Sequence, residues 1–298
     1  YRILGASACS GYPQPTRTNA YEPAMVCAGH QNEALTRRHY SEASVDRALW
    51  YMFNQFSYHD DDGVGEAVHT CIYESTNVDW YTVFSHGHAM MAFLRRGHGL
   101  NPNQAQDPYF RHVTECGLNA LVATYAPLSN ISFDDHASPG VDGLGITFTN
   151  ARLTMSNSFS TSYVSMAWTG PLALFGDPNY RLTTGRTGIQ QRTLRDVGQD
   201  LYDGLAHCAG SHGGWHYTCQ QEGYDASTNG WTASAMSLLE SHLEVSSYPW
   251  LKAKQRTFLE TECNTGSNDN DQLFGCTYHP IPDSGGGTGK LAGNALAG

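Results

Sequence analysis

The chain has 298 residues, 40% hydrophobic and 15% charged, with 31 Gly and 17 Tyr: enough apolar material for a sizeable core beneath a weakly charged, neutral-polar surface. The formal net charge is −11 and the longest basic runs are the pairs Arg37-Arg38 and Arg95-Arg96, so no stripe exists to neutralise phosphates and a nucleic-acid partner is not expected. No apolar stretch reaches the roughly 18 residues of a bilayer crossing, so no transmembrane segment is expected.

Residues 1–40 carry Gly5, Gly11, Pro13, Pro15, Pro23 and Gly29 without a sustained period, and read as an extended N-terminal arm. The chain opens at Tyr1 with no charged-then-apolar leader, which fits a mature secreted product and equally a truncated chain. Residues 41–298 read as a second region made of helices. Val45, Leu49, Met52 and Phe53 recur at helical spacing behind a serine cap. The acidic turn His59-Asp60-Asp61-Asp62-Gly63 and a loop to Trp80 follow, then a helix from His86 to Leu94 that ends at Gly97.

The same order recurs. A helix is predicted over Val113 to Tyr125, an Asp/Gly-rich loop over Asp134 to Gly145, and a small-residue helix over Tyr163 to Phe175, stopped by Gly176. A third pair is predicted over Leu194 to Cys208 and Gly230 to Glu240. A fourth begins with Trp250 to Thr261, passes a loop from Asn264 to Gly289, and breaks off in Leu291 to Leu296. First helices near 45, 113, 194 and 250 stand 68, 81 and 56 residues apart, an irregular repeat of about four helical hairpins, the last incomplete.

The eight cysteines, at 9, 27, 71, 116, 208, 219, 263 and 276, form no CxxC, so a zinc ribbon, a thioredoxin-type site and a c-type haem are not written here. Local disulfides in an oxidising compartment are expected: Cys9 with Cys27, Cys71 with Cys116, Cys208 with Cys219, and Cys263 with Cys276.

In the third unit Gly213-Gly214-Trp215-His216-Tyr217, then Asp225-Ala226-Ser227, then Gly230-Trp231 leading into the small-residue helix through Met236, resembles the prenyltransferase and squalene-oxidase repeat. The resemblance implies an all-α fold, an α/α-toroid-like array of helical hairpins with long irregular loops. The residues carry a physical reading of their own. Gly213 and Gly214 permit a sharp turn, Trp215, Tyr217 and Trp231 fill the space between hairpins, Asp225 or Ser227 caps the next helix, and Gly230 allows close packing.

The chemistry of that superfamily is not written here. His59 stands where D-x-D-D needs its first Asp, Gly65 stands where D-D-x-x-D from Asp61 needs its last, and no Asp/Cys/His zinc set can be placed. Asp60 and Asp62 before Gly63, and Asp269 and Asp271, supply closely spaced oxygens suited to calcium, with a solvated acidic loop as the alternative. His86 and His88 would lie on different faces of a helix, so the pair makes no strong metal site and the sequence gives transition-metal binding no support.

The expected function is a secreted or cell-surface structural protein that associates with copies of itself, as in a filament, through the arm and unclosed helical faces. The alternative is an extracellular polysaccharide lyase or glycoside hydrolase acting on a glycan. Its rim of first-helix loops would gather Asp60, Asp61, Glu66, Asp134, Asp135, Asp142 and Asp225 with Trp80, Trp215, His216 and Tyr217.

Overall fold

The computed structural model describes residues 44–60, 69–73, 79–100, 107, 109–129, 144–148, 165–185, 187–211, 213–217, 219 and 224–262. Within them helix predominates, as the periodicity predicts. The arm at 1–40 and the helix expected near 291–296 lie outside the described residues.

Helix α1 (44–53) buries Leu49 and Phe53, while Val45, expected on the same face, is exposed. Where the sequence predicts a loop to Trp80, the chain instead makes an antiparallel hairpin of β1 (Phe56–Asp60) and β2 (His69–Tyr73), with Phe56 opposite Tyr73 and Tyr58 opposite Cys71. Phe56 and Cys71 are buried, and the aromatic and β-branched residues of both segments suit a half-buried strand. Helix α2 (Asp79–Arg95) starts well before the expected His86. It ends as expected at Gly97, whose φ of +90° permits a Schellman turn: Gly97 N–H donates to Leu94 O at 2.9 Å and His98 N–H to Phe93 O at 3.2 Å.

The helix expected over Val113 to Tyr125 is a π-helical segment, Phe110–Glu115, running into α3 (Cys116–Val122). Tyr125 leaves the helix and opens a second hairpin, β3 (Tyr125–Ser129) against β4 (Leu144–Phe148). Its buried phenol donates to Trp168 O at 2.7 Å, a tertiary bond that overrides local helix propensity. The expected loop at Asp134 to Gly145 therefore ends inside β4, and its aspartates lie outside the described residues.

Helix α4 (Ser165–Leu174) is buried through Ala173 and is stopped before Gly176, as expected. Thr193 caps α5 (Leu194–His207) in a capping box with Asp196. Helix α6 (Ala226–Leu243) starts behind Asp225, and α7 (Pro249–Glu262) starts with proline, whose missing N–H costs nothing at a first helical position.

Helices α2, α4 and α6, the second helices of successive hairpins, lie side by side with α4 in the middle. The spaces that would receive Cβ atoms on Gly87 and Gly170 are filled by Ala167 and Met91 respectively, so residue numbers rise together along α2 and α4 and the two helices run parallel. Helix α3 packs on α2 and α4, and α5 packs on α4 and α6. The Cys71–Cys116 disulfide bolts β2 to α3, and Cys208–Cys219 closes the chain after α5; both pairings are as expected. Cys9, Cys27, Cys263 and Cys276 lie outside the described residues.

Candidate functional site

The turn between α5 and α6 is built by the motif that resembles the prenyltransferase repeat. Gly213 has a φ of +85°, and a Cβ there would lie 2.9 Å from the Lys254 carbonyl oxygen, so the turn presses directly on α7. Trp215 is fully buried. Its Nε1–H donates to Leu205 O at 2.8 Å in α5, its N–H donates to Asn229 Oδ1 at 3.0 Å in α6, and its carbonyl accepts from Asp225 N–H at 3.0 Å. One residue thus ties both helices of the unit together. Asp225 Oδ1 accepts from Thr228 N–H at 2.9 Å, from Thr228 Oγ1–H at 3.1 Å and from the Ser227 hydroxyl, the geometry of an N-cap. Asp225, not Ser227, is the cap.

Two residues of the motif depart from their expected roles. Gly230 is not a packing glycine, because nothing lies within 4 Å of where its Cβ would be. Trp231 is only half-buried, and its ring meets His88 of α2 edge-on with centroids 5.5 Å apart. Tyr217 and His216 are half-buried beside the turn, where Tyr217 N–H donates to His216 Nδ1 at 2.8 Å.

The acidic rim is not assembled among the described residues. Asp225 and Trp215 are consumed in the turn, Asp60 is the last residue of β1, and Trp80 lies in the first turn of α2. Asp61, Asp62, Glu66, Asp134, Asp135, Asp142, Asp269 and Asp271 lie outside the described residues. Within the described residues no three His, Cys, Asp or Glu side chains converge to hold a metal ion.

The described carboxylates that sequence reasoning missed brace the helices. Asp203 of α5 is buried and accepts from Tyr248 Oη–H at 2.6 Å and Gln199 Nε2–H at 2.9 Å. Glu240 of α6 accepts from Tyr202 Oη–H at 2.8 Å and pairs with Lys252 of α7 at 2.7 Å. Burial and the neighbouring Glu240 carboxylate both push the Tyr202 phenol pKa upward, which keeps it a donor. Asp200 is buried against Arg192, and Asp46 of α1 reaches Arg96 at 3.5 Å. Asp200 and Asp203 stand three residues apart on one helix face, the signal that a buried polar seam was available to find.

After α2, His98 Nδ1 lies 2.8 Å from Asp107 Oδ2, and Asp107 Oδ1 accepts from Tyr109 N–H at 2.9 Å. The rings of Phe93 and Tyr109 close over His98, which is 6% exposed. This pair has the chemistry of a general base, but its burial makes it a brace for the turn from α2 to the π-helical segment.

Among the described side chains of the second helices one aromatic pair is half-buried. His88 and Trp231 belong to α2 and α6, both of which pack on α4, and their rings meet with centroids 5.5 Å apart. The buried Ser165 Oγ–H of α4 donates to Thr232 Oγ1 of α6 at 3.3 Å. Ser85 of α2 and Ser234 of α6, each three residues along its helix from a member of the pair, are half-buried. The half-buried His88–Trp231 pair is thus an aromatic surface able to stack on a neutral polar ligand. Compared with known protein families, curated proteins and solved structures, the chain matches none.

Proposed function

We propose that the chain is a secreted or surface-exposed protein of α/α-toroid-like architecture that serves as a structural module and assembles with copies of itself. The observation that supports this reading is the row of second helices, in which α4 packs on both α2 and α6 and runs parallel to α2, as neighbours in the inner layer of a toroid would. A row of three second helices among the described residues that did not close on itself would have two ends that seek neighbours. Two disulfides, and the absence from the described residues of any helix long and apolar enough to cross a membrane, are compatible with an extracellular setting. Native mass spectrometry and negative-stain imaging of the purified protein test the proposal. Rings or filaments are expected, and a monomer at every concentration would overturn it.

The second reading, a glycan-binding or glycan-cleaving protein, is favoured by one observation, the half-buried His88–Trp231 aromatic pair. A screen on acidic and neutral polysaccharides, read by Trp fluorescence and by release of reducing or unsaturated ends, tests it. No response from any glycan would remove this reading.

A further inference from the structure

His86 lies in the middle of α2 and is completely buried. Its Nδ1 takes a hydrogen bond from Tyr73 N–H of β2 at 3.0 Å, and its Nε2 lies 3.2 Å from Gly117 O of α3. A backbone N–H can only donate and a carbonyl can only accept, so the partners fix the tautomer: Nδ1 is bare and Nε2 carries the hydrogen. The ring is thus the polar joint between α2, β2 and α3. It cannot swing aside. Phe56 of β1 lies edge-on to it with centroids 5.8 Å apart, and the position of a Cβ on Gly117 is 3.2 Å from His86 Cε1.

A second proton would have to enter at Nδ1, where it would face the Tyr73 N–H, donor against donor. Among the described side chains none pairs with His86 to offset the resulting cation; on β1 the ionisable residues are Tyr58, His59 and Asp60, whose side chains lie outside those described. Helix α4 has no ionisable side chain, and Cys71 and Cys116 are held in their disulfide. On β2 the described ionisable side chain is the Tyr73 phenol, pushed upward by burial and by Tyr51 of α1, while the side chain of His69 lies outside those described. The π-helical segment carries Arg111, whose side chain lies outside those described; of its described ionisable groups, His112 is exposed and Glu115 is half-buried. Neither is a hydrogen-bond partner of His86.

We propose that His86 is an acid-operated latch, whose protonation releases the β1–β2 hairpin from α2 while the Cys71–Cys116 bridge keeps the released hairpin attached to α3. Burial lowers the pKa of the ring from 6.5 to about 4, opposed only by the Gly117 carbonyl. The latched state therefore binds a proton about 300-fold more weakly than an open state in which the ring reaches water. The sign follows from that direction. Above pH 6.5 the latch has its full strength; each unit of acidification between 6.5 and about 4 favours the open state up to tenfold; below about 4 the effect is complete. The bridge makes opening local and reversible, since β2 cannot diffuse away from α3.

The test is an NMR titration of the uniformly labelled full chain from pH 7 to 3.5, following the His86 ring nitrogens and the exchange protection of the Tyr73 amide, corrected for intrinsic rate. The proposal expects the Nε2–H tautomer at pH 6, and loss of Tyr73 protection in step with ring protonation, while Ala173 and Leu201 in α4 and α5 stay protected. It is overturned if His86 titrates near 6.5 with Tyr73 protected throughout, or if all three amides lose protection together. His86→Gln, which cannot be charged, should leave Tyr73 protection flat from pH 4 to 7. The wild-type titration decides the matter alone if that variant does not fold.

Discussion

The Cβ that Gly87 lacks would fall 2.0 Å from the carbonyl oxygen of Ala167, so α2 and α4 touch backbone to backbone at that level. Pro171, four residues after Ala167, has no N–H to offer that carbonyl, which leaves it available to the neighbouring helix. The Gly87 Cα–H occupies the position of a weak donor to it. Gly87→Ala must push two helices apart and should destabilise the protein by about 3 kcal/mol, read as an earlier denaturant midpoint. Gly230 is the control. Nothing lies within 4 Å of its missing Cβ and it sits inside α6, so Gly230→Ala should stabilise by about 0.5–1 kcal/mol through helix propensity. Equal effects from the two substitutions would contradict this account of the α2–α4 contact.

Trp215 and Trp231 belong to the same motif and should behave differently. Trp215→Ala opens a cavity between α5 and α6 and leaves the Leu205 carbonyl without its indole donor, a loss of roughly 3–5 kcal/mol. Trp231 is half-buried, so Trp231→Ala should cost less than half as much. Thermal melts of the two variants side by side decide the point, and a larger loss at Trp231 would reverse the assignment of which tryptophan holds the repeat together.

Gln255 of α7 is fully buried, and neither its Nε2 nor its Oε1 has a hydrogen-bond partner. A buried amide in that condition carries its desolvation cost uncompensated. Gln255→Met keeps the volume and removes the polar atoms, and should raise stability by about 1–3 kcal/mol in urea unfolding. A loss of stability would mean that the amide has a partner, such as a bridging water.

The helices were legible in the sequence wherever a local signal starts or stops them. Gly97 and Gly176 end α2 and α4 with positive φ, and the Thr193 and Asp225 side chains begin α5 and α6. The two hairpins were not. Phe56–Asp60 and His69–Tyr73 are five residues each, and what makes them strands is mutual pairing across residues 61–68 together with the burial of Phe56 against α2. No window of sequence contains that information. The expected separation of His86 and His88 onto different faces of α2 holds: one ring binds β2 and α3, and the other meets α6. What the spacing could not show is that one of the two is wholly buried, because the hairpin that buries it was itself illegible.

The two described disulfides should contribute unequally, in an order set by the loops that they close. Cys71 and Cys116 are 45 residues apart and Cys208 and Cys219 are 11 apart. A cross-link stabilises chiefly by removing conformations from the unfolded chain, and on the chain-entropy relation these lengths correspond to about 4 and about 3 kcal/mol. The longer bridge also holds β2 on α3 beside the His86 joint, so losing it adds a folded-state cost. The shorter bridge lies next to a turn that Trp215, Asn229 and Asp225 already pin with three hydrogen bonds, so the folded state there should survive its removal. Paired Cys→Ala variants, compared by denaturant midpoint and slope, separate the contributions. The 71/116 pair should lose the larger share of stability, by about 1 kcal/mol or more. If the 208/219 pair lost more, the Trp215 turn would owe its shape to the bridge and not to its hydrogen bonds.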